Sequence, residues 1–427
     1  MSERRAPILR LNRFSYPLAL LGLLLLSAAV LPLVHAQSPT LVTSIDVGSE
    51  PVGVAYDAAA GEVFVVNDAS GAPTGTVSVI SDATNTVVAT VNVGPDPYGL
   101  AYDPSNGDIY VANEGTDTVY AISASTYTIV ANITVGESPI NVAYDSARGE
   151  LFVTNYDSDS ISVISASSNT VVATLQLPVG SNPQGVAYDS GKGEVFVTCV
   201  STNTVYIISD SNNAIMANLT SLPPGPIAAA YDPARGEVFV ADVNSGNISV
   251  ISDSSNSVVA TIDVPNGAVA LAYYPSGDEL FVVPTFNENV TVISGENNAI
   301  VGTVSLGSGL YQPDGIAYDS GKGEMFVADD NTDTVSVISA PASAVTSTSV
   351  TSTSTAISSS SSVASVSSTA ASSTTSSLAS SSSAHSSSTS LSWSYLGLVA
   401  VDAGLILAVC AVIGIQRKNR LSSSRIA

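Results

Sequence analysis

A tyrosine recurs seven times along this chain, and the residues around it recur with it. The successive tyrosines stand 42 to 46 residues apart, at Tyr56, Tyr102, Tyr144, Tyr188, Tyr231, Tyr273 and Tyr318. Each copy contains four short runs rich in β-branched and aromatic residues, separated by turns of Gly, Asp, Asn and Ser. Four strands repeated with a period in the forties are typical of a β-propeller blade. The sequence therefore predicts an all-β fold, a seven-bladed β-propeller over residues 37–340.

The last copy lacks its fourth strand, because a serine-rich tract begins after Ala340. The segment Leu41–Gly48 stands ahead of the first copy and matches the fourth-strand pattern of Val87–Gly94. We expect this N-terminal strand to pair into the last blade and to close the ring. Closure hides two sheet edges that would otherwise template aggregation.

The sixth copy departs from the others in its first turn. Elsewhere an Asp opens this turn by bonding its own backbone, and a Gly near its end supplies the positive φ. In the sixth copy Tyr274 replaces the Asp, and Glu279 reads as an insertion before Leu280. These departures predict a bulge or a longer hairpin in that blade.

Residues 1–36 have the pattern of a secretory signal peptide. A region with four arginines precedes an apolar run from Leu18 to Val34, and a small-x-small cleavage site follows before Gln37. The apolar run is also long enough to serve as an uncleaved anchor, which stays open as the alternative.

Residues 341–392 consist almost entirely of Ser, Thr, Ala and Val. Such a segment buries too little surface to offset its ordering entropy, so we expect an extended or disordered stalk. Its dense hydroxyl groups favour O-glycosylation, and a bare flexible linker is the alternative.

Residues 393–416 are predicted to form one transmembrane helix, since Tyr395–Ile415 is an apolar stretch of 21 residues broken only by Asp402. The basic tail 417–427 places the C-terminus inside the cell. Asp402 either snorkels toward the outer interface or pairs with a partner helix. The chain is thus expected to be a single-pass type I membrane protein with its propeller on the cell surface.

The propeller is strongly acidic, because residues 37–340 hold 34 of the 36 acids and four of the twelve cations. Because the domain carries this excess of negative charge, its electric field does not attract nucleic acid or anionic lipid, and binding of either by charge is excluded. The four cations share the turn between the first and second strands, whereas many acids fall at the opposite end of the blades. The pattern predicts one acidic face and one nearly neutral face.

The acidic face has two interpretations. Short turns favour Asp and Asn because these side chains bond the local backbone. The other interpretation is a Ca²⁺-assisted recognition face, whose metal-ligand candidates are Asp157, Asp159, Asp329 and Asp330. No stretch matches a known calcium-binding loop, so the sequence itself assigns no cofactor.

The predicted propeller contains no histidine, since His35 lies in the signal and His385 in the stalk. This removes the usual general base for hydrolysis and the usual transition-metal ligand. Cys199 falls in the fourth blade and Cys410 in the membrane segment, so no intrachain disulfide is expected. Cys199 takes a second-strand position held elsewhere by Asn or Asp, and we interpret it as a buried small residue rather than a nucleophile. No catalytic residue is assigned.

Two further places offer candidate chemistry. The Asn or Asp that ends each second strand would form a ring around the mouth of the central channel, where glycosidase-type paired acids are one interpretation. Segments that break the repeat supply Phe286 and Tyr311, either as aromatics that stack on a ligand or as loop-packing residues.

Four Asn-x-Ser/Thr sequons fall on outer strands or at the start of third strands. They begin at Asn132, Asn218, Asn247 and Asn289. N-glycosylation is expected at such places on a secreted chain. Chance occurrence in a repeat rich in Asn, Ser and Thr is the alternative.

Three second strands, Phe64–Asn67, Tyr110–Asn113 and Phe152–Asn155, resemble the tetrapeptide that names the YVTN β-propeller repeat family. The resemblance extends over all seven repeats, from Leu41 to Ala340. It implies a seven-bladed ring on a secreted or cell-surface protein, as in archaeal surface-layer and surface-antigen proteins, and it implies no activity. Related propellers include lactonase-like and streptogramin-lyase-like enzymes, but the lyase-like catalytic histidine has no counterpart here.

These features favour a non-enzymatic surface protein that presents a propeller on a stalk for adhesion, envelope organisation or ligand capture. Its expected partners are cell-envelope proteins or glycans, and its C-terminal helix is expected to anchor the chain in the membrane. Two alternatives stay open: an extracellular hydrolase or lyase that uses channel carboxylates with a divalent metal, and a purely structural envelope component.

Overall fold

The computed structural model describes residues 38–220, 222–265, 267–285, 287–307 and 313–340. These residues form 28 β-strands and one short 3-10 helix, Glu114–Thr116. Across these ranges no helix is long and apolar enough to cross a bilayer. The predicted signal peptide, stalk, membrane helix and tail all lie outside the described residues.

The strands build seven antiparallel sheets of four strands each, which confirms the predicted seven-bladed propeller. In blades 1 to 6 the sheet order follows the chain, so each blade is a simple meander. Blades 1 and 2 contain β2 (Pro51–Asp57), β3 (Glu62–Asn67), β4 (Thr76–Ser81), β5 (Thr86–Asn92), β6 (Pro97–Asp103), β7 (Asp108–Asn113), β8 (Thr118–Ser123) and β9 (Thr128–Thr134). Blades 3 and 4 contain β10 (Pro139–Asp145), β11 (Glu150–Asn155), β12 (Ser160–Ser165), β13 (Thr170–Gln176), β14 (Pro183–Asp189), β15 (Glu194–Cys199), β16 (Thr204–Ser209) and β17 (Ala214–Leu219). Blades 5 and 6 contain β18 (Pro226–Asp232), β19 (Glu237–Asp242), β20 (Asn247–Ser252), β21 (Ser257–Asp263), β22 (Ala270–Tyr274), β23 (Glu279–Val283), β24 (Asn289–Ser294) and β25 (Ile300–Ser305).

Blade 7 is built from both ends of the propeller. Its strands are β26 (Pro313–Asp319), β27 (Glu324–Asp329), β28 (Thr334–Ser339) and, as the outermost strand, β1 (Thr40–Asp46). Strands β1 and β28 pair antiparallel, with Ile45 opposite Val335, and the Thr40 and Ser339 hydroxyl groups lie 3.0 Å apart. The predicted closure of the ring by the N-terminal strand is confirmed.

The second and third strands of each blade form the core, because sheets of neighbouring blades pack against both of their faces. Phe326 of blade 7, for example, packs with Val63 and Val65 of blade 1. Every blade buries one large aromatic side chain at the third residue of its second strand. These side chains are Phe64, Tyr110, Phe152, Phe196, Phe239, Phe281 and Phe326. Each such burial contributes about 1.5–3 kcal/mol through the apolar area removed from water.

The fourth strand of every blade is an outer edge, and it carries a β-bulge. In blade 1, Val79 pairs with Ala89 and Ile80 with Val87, which leaves Val88 as an extra, half-exposed residue. The bulged residues of the seven blades are Val42, Val88, Val130, Val172, Met216, Val259 and Val301. A bulge twists an edge strand and so opposes its pairing with another sheet.

The bulge or longer hairpin predicted for the first turn of blade 6 is wrong. Tyr274 pairs with Glu279 at the same spacing as Asp145 with Glu150 in blade 3, so Glu279 is no insertion. The residue that changes is Asp278, which replaces the turn glycine at φ 52°. A short polar side chain tolerates this left-handed region, so the turn keeps its length. The first strand pair of blade 6 also lacks the register shift that the other six blades show.

Candidate functional site

The recurring tyrosine connects neighbouring blades at the end that carries the first turns. The hydroxyl group of one blade's tyrosine approaches the aspartate that opens the first turn of the preceding blade. The six pairs are Tyr56 with Asp319, Tyr102 with Asp57, Tyr144 with Asp103, Tyr188 with Asp145, Tyr231 with Asp189 and Tyr273 with Asp232. Burial in the first place, and these carboxylates after it, raise the pKa of the six tyrosines. Each phenol therefore keeps its proton and acts as a donor.

The same aspartates shape their own turns. In blade 3, Asp145 Oδ1 accepts hydrogen bonds from the backbone N–H groups of Ala147 at 2.8 Å and Arg148 at 3.2 Å. Its Oδ2 atom is buried and accepts no hydrogen bond, and after burial the Asp145 carboxylate is the main cause that raises the pKa of Tyr188 in the next blade. One side chain thus fixes a turn and faces the next blade.

Four of the seven junctions add a second carboxylate, which accepts a hydrogen bond from the same phenol. These bonds run from Tyr56 to Asp82 (3.1 Å), Tyr188 to Asp210 (3.2 Å), Tyr231 to Asp253 (3.5 Å) and Tyr273 to Asp278 (2.9 Å). We call a tyrosine between two carboxylates a clasp. A phenol has one proton and donates one hydrogen bond, so it does not bond both carboxylates fully. The two negative charges of a clasp repel each other, and a nearby cation offsets this repulsion.

Each clasp has one cation, and together the four clasps contain all four cations of residues 37–340. The pairs are Lys322 with the main-chain oxygen of Asp82, Arg148 with Asp210, Lys192 with Asp253 and Arg235 with Asp278. In the second of these, burial and Asp145 raise the pKa of Asp210, and Arg148 opposes the rise. The position of the four cations at one end of the blades was predicted from the sequence, but their partners were not.

In the part of the chain that the structure describes, the other three junctions have neither the second carboxylate nor the cation. Their positions equivalent to Asp82 hold Ala124, Ala166 and Ala340. Between blades 1 and 2, Tyr127 donates to Glu62 Oε1 at 2.5 Å. Between blades 2 and 3, Tyr110 donates to Asn169 Oδ1 at 2.8 Å. Each of these two junctions is thus closed by an additional tyrosine.

The junction between blades 6 and 7 has a different construction. Tyr274 stands in place of the first-turn aspartate, and its ring lies 5.1 Å from that of Tyr318 and 6.3 Å, edge-on, from that of Phe281. Blade 7 also has no hairpin between its third and fourth strands, because β28 ends at Ser339 and β1 begins at Thr40. The contact here is aromatic rather than ionic.

A cavity of about 770 Å³ opens at this junction, and we call it the seam cleft. Its wall includes Ser38 and Ala340, the two ends of the described propeller. Seven of its lining residues carry hydroxyl groups, namely Ser38, Thr40, Tyr274, Ser276, Tyr318, Ser320 and Ser339. Lys322 and Glu324 add one charge of each sign.

The structure separates the four metal-ligand candidates into two pairs. Asp157 and Asp159 lie in the second turn of blade 3, and Asp329 and Asp330 at the second turn of blade 7, and these blades are not neighbours. Within the described ranges, no group of three or more His, Cys, Asp or Glu residues has an arrangement that could hold a metal ion.

Backbone groups occupy both oxygens of Asp159 and one oxygen of Asp329, and Asp157 accepts a hydrogen bond from the Ser138 hydroxyl at 2.7 Å. The carboxylate of Asp159 accepts hydrogen bonds from the N–H groups of Gly180 at 2.7 Å and Asn182 at 2.9 Å, on the connection to blade 4. Asp329 Oδ1 accepts from the N–H and hydroxyl groups of Thr332, both at 3.2 Å. The Asp329 contacts support the interpretation that short turns select Asp for its bonds to the local backbone, whereas Asp159 bonds a connection about 20 residues further along the chain.

The residues that end the second strands do not ring an open channel mouth, and this prediction is wrong. Six of them, Asn67, Asn113, Asn155, Cys199, Asp242 and Asp329, are fully buried. Asn67 Nδ2 donates to Thr76 Oγ1 and Ser78 Oγ, both at 3.0 Å, on the third strand of its own blade. On its other side lies Gly48, where an added Cβ would come within 2.7 Å. The side chain therefore fills the space between a strand end and the connection from the preceding blade.

Two members of this buried set have displaced pKa values. Burial raises the pKa of the Cys199 thiol to about 12, so the group stays protonated, as expected of a buried small residue. Burial also raises the pKa of Asp242 to about 7. Ser249 donates to Asp242 at 2.6 Å and opposes that rise, but Oδ1 of Asp242 has no partner.

The prediction of one acidic and one nearly neutral face is also wrong. The first-turn end carries six turn aspartates, an acidic residue at the start of every second strand, and the four second carboxylates of the clasps. Only four cations lie at that end, so both ends of the ring are acidic. The ends differ in that cations accompany the carboxylates at one of them only.

At the opposite end, carboxylates concentrate between blades 1 and 2. Burial raises the pKa of Asp68 to about 7, the Ser70 hydroxyl at 2.9 Å opposes the rise, and the charges of Asp96, Glu50 and Glu114 add to it. Glu50 also accepts a hydrogen bond from the backbone of Ser70 at 2.6 Å. The position of these acids on one face was predicted from the sequence, but their close clustering was not.

The remaining predicted sites lie apart from the seam cleft or outside the described residues. Asn132 and Asn218 are exposed on the outer strands β9 and β17, whereas Asn247 and Asn289 are partly buried at the starts of β20 and β24. Phe286 and Tyr311, the ligand-stacking candidates, lie outside the described residues.

No family model matches the chain, and no curated protein matches it. The propeller is therefore established by its own strands, and membership of the YVTN repeat family stays a prediction.

Proposed function

We propose that this chain is a non-enzymatic binding module, a membrane-anchored propeller displayed on the cell surface for adhesion or envelope organisation. The proposal rests on the contacts of the repeated polar side chains, which bond to the protein itself. Asp159 bonds the backbone of the connection to blade 4, Asp329 bonds the backbone of its own turn, and the clasp aspartates hold neighbouring blades, so these groups act as scaffold. Repetition of the same scaffold bonds around a ring suits a platform for binding rather than a single reaction centre.

Display at the surface rests on the flanking segments. The signal pattern of residues 1–36, the Ser/Thr-rich stalk 341–392 and the apolar segment 393–416 together support export and anchoring. Surface biotinylation of intact cells tests this placement. Labelling of the propeller in intact cells is expected, and labelling only after lysis would contradict it.

The binding role is tested with the full chain in lipid nanodiscs, mixed with isolated cell envelopes of the producing cells. Co-sedimentation that a soluble envelope extract competes away is expected. Turnover of a lactone or glycoside by the same preparation would overturn the non-enzymatic assignment and favour the hydrolase or lyase alternative.

A further inference from the structure

We infer that the seam cleft between blades 6 and 7 is a binding site for a short neutral oligosaccharide. This inference rests on the proposed binding function and gives it a site and a ligand class. Its starting point is the junction in which an aromatic contact stands in place of the tyrosine–aspartate pair of the other six.

The cleft lies where two side chains that connect blades elsewhere are both replaced. Tyr274 replaces the aspartate that faces the next blade elsewhere, and Ala340 stands where Asp82 completes a clasp in blade 1. In blades 1 to 6 a hairpin joins the third and fourth strands, whereas in blade 7 this place is formed by Ser38 and Ala340, which come from two distant parts of the chain. The seam cleft thus lies where the described residues contain neither the clasp nor the hairpin.

The lining has the chemistry of a site for a polyhydroxylated ligand. Serine, threonine and tyrosine hydroxyl groups both donate and accept hydrogen bonds, as the hydroxyl groups of a sugar do. Ser276 and Ser320, from the first turns of blades 6 and 7, are exposed, and Tyr318 between them is partly buried. A phenol offers an apolar ring and a polar tip, which suits the mixed surface of a sugar.

Charge and size narrow the class of ligand. The two charged residues, Lys322 and Glu324, cancel, and Lys322 is already bonded to the main chain of Asp82. A formal net charge of −24 on the whole chain repels an anionic ligand. The volume of about 770 Å³ lies in the range of about 300–1,000 Å³ typical of small-molecule sites. A neutral sugar of two or three residues meets all three conditions.

The chain itself supplies a matched control. Blade 4 has the same first turn, Asp189–Gly193, as blade 7, Asp319–Gly323, but blade 4 closes onto its neighbour through a clasp. Ser190 and Ser320 are equivalent and both exposed, and Ser320 lines the cleft. Ser320→Trp therefore fills the cleft, whereas Ser190→Trp adds the same bulk to the same turn elsewhere.

The test is isothermal titration of the full chain in nanodiscs with maltotriose, cellotriose, mannotriose and chitotriose. At least one sugar is expected to bind wild type and Ser190→Trp alike, and Ser320→Trp is expected to weaken it by about tenfold or more. Ser276→Trp, from the opposite wall, is expected to do the same and serves as the second variant if Ser320→Trp lowers the melting temperature.

The outcomes separate this inference from the proposed function. Sugar binding that survives both cleft substitutions overturns the cleft as the site and leaves the binding function standing. Absence of binding to all four trisaccharides overturns the ligand class, while the co-sedimentation experiment judges the proposed function separately. A fall in melting temperature with both cleft substitutions but not with Ser190→Trp, together with no sugar binding, would mean that the chain itself fills the cleft.

Discussion

The two junctions on either side of blade 6 join the same sheet to its neighbours by different chemistry. Toward blade 5, Tyr273 lies between two carboxylates, and Arg235 pairs with Asp278. Toward blade 7, Tyr274 and Tyr318 meet through their rings. The difference teaches that a clasp is not required to join two blades. What the clasps share is balance, since a second carboxylate occurs only where the preceding turn carries Lys or Arg.

The largest expected effect is at the aromatic junction. Tyr274→Ala is expected to lower the free energy of unfolding by about 3–5 kcal/mol, because the side chain is fully buried and its removal leaves a cavity. Denaturant unfolding measures the loss, and Tyr274→Phe, which keeps the ring, is the control. An Ala variant as stable as the Phe variant would show that ring packing does not hold blades 6 and 7 together.

A carboxylate without a cation sharpens the comparison. Asp242 is fully buried at the end of the blades opposite the four cations, and its pKa rises from 3.8 to about 7. The folded state therefore favours the protonated acid, so stability is lost as pH rises from about 4 to about 7. We expect Asp242→Asn to raise the free energy of unfolding by about 2–4 kcal/mol above pH 7 and to change it little below pH 4.

Melting curves of wild type and Asp242→Asn across this pH range check the prediction. Asn155 holds the equivalent place in blade 3, so Asn155→Asp is the reverse substitution and should destabilise the fold at pH 7. A pH-independent gain for Asp242→Asn would contradict the assigned titration.

A smaller effect tests the balance of charge within a clasp. Arg235→Ala is expected to cost about 1 kcal/mol, because its pair with Asp278 is about one-third exposed on each side. Asp278→Gly in the same background restores the glycine of other first turns and removes the second carboxylate, so the two losses should not add. A double-mutant cycle measures this coupling, and strict additivity would argue against a balanced unit.

The smallest expected effect concerns divalent metal. Because backbone groups occupy both oxygens of Asp159 and one of Asp329, and no described group of acids is arranged to hold a metal ion, millimolar Ca²⁺ is expected to move the melting temperature by no more than about 1 °C relative to EDTA. A calcium-selective rise that grows with concentration would revive the metal-assisted recognition face.

The ring could be predicted from sequence because its signals are local and repeated. Strand length, turn chemistry and the period fixed the blades, and the match of Leu41–Gly48 to a fourth strand identified the closure. The clasps could not be predicted in the same way. Lys192 and Asp253 stand 61 residues apart, and only the packing of one blade on the next brings them together.

The wrong predictions share a physical cause, which is that a sequence position does not give the direction of a side chain. Asn67 and Asp242 stand at strand ends, where exposure was expected, yet both turn inward and are fully buried. Three of the four second acids of the clasps, Asp82, Asp210 and Asp253, directly follow third strands, and they were left out of the prediction of a nearly neutral face. The seam cleft was not predicted, because it depends on how blade 7 packs on blade 6 where the clasp and the third-to-fourth-strand hairpin are absent from the described residues.

Closure by β1 also sets the timing of assembly. The strand that completes blade 7 is made first, and its partner β28 follows nearly 300 residues later. At a synthesis rate of about 5–20 residues per second, β1 waits roughly 15–60 s for its partner. During that interval the other blades can form, but the circle stays open, so a nascent chain exposes a bare strand until its final blade emerges.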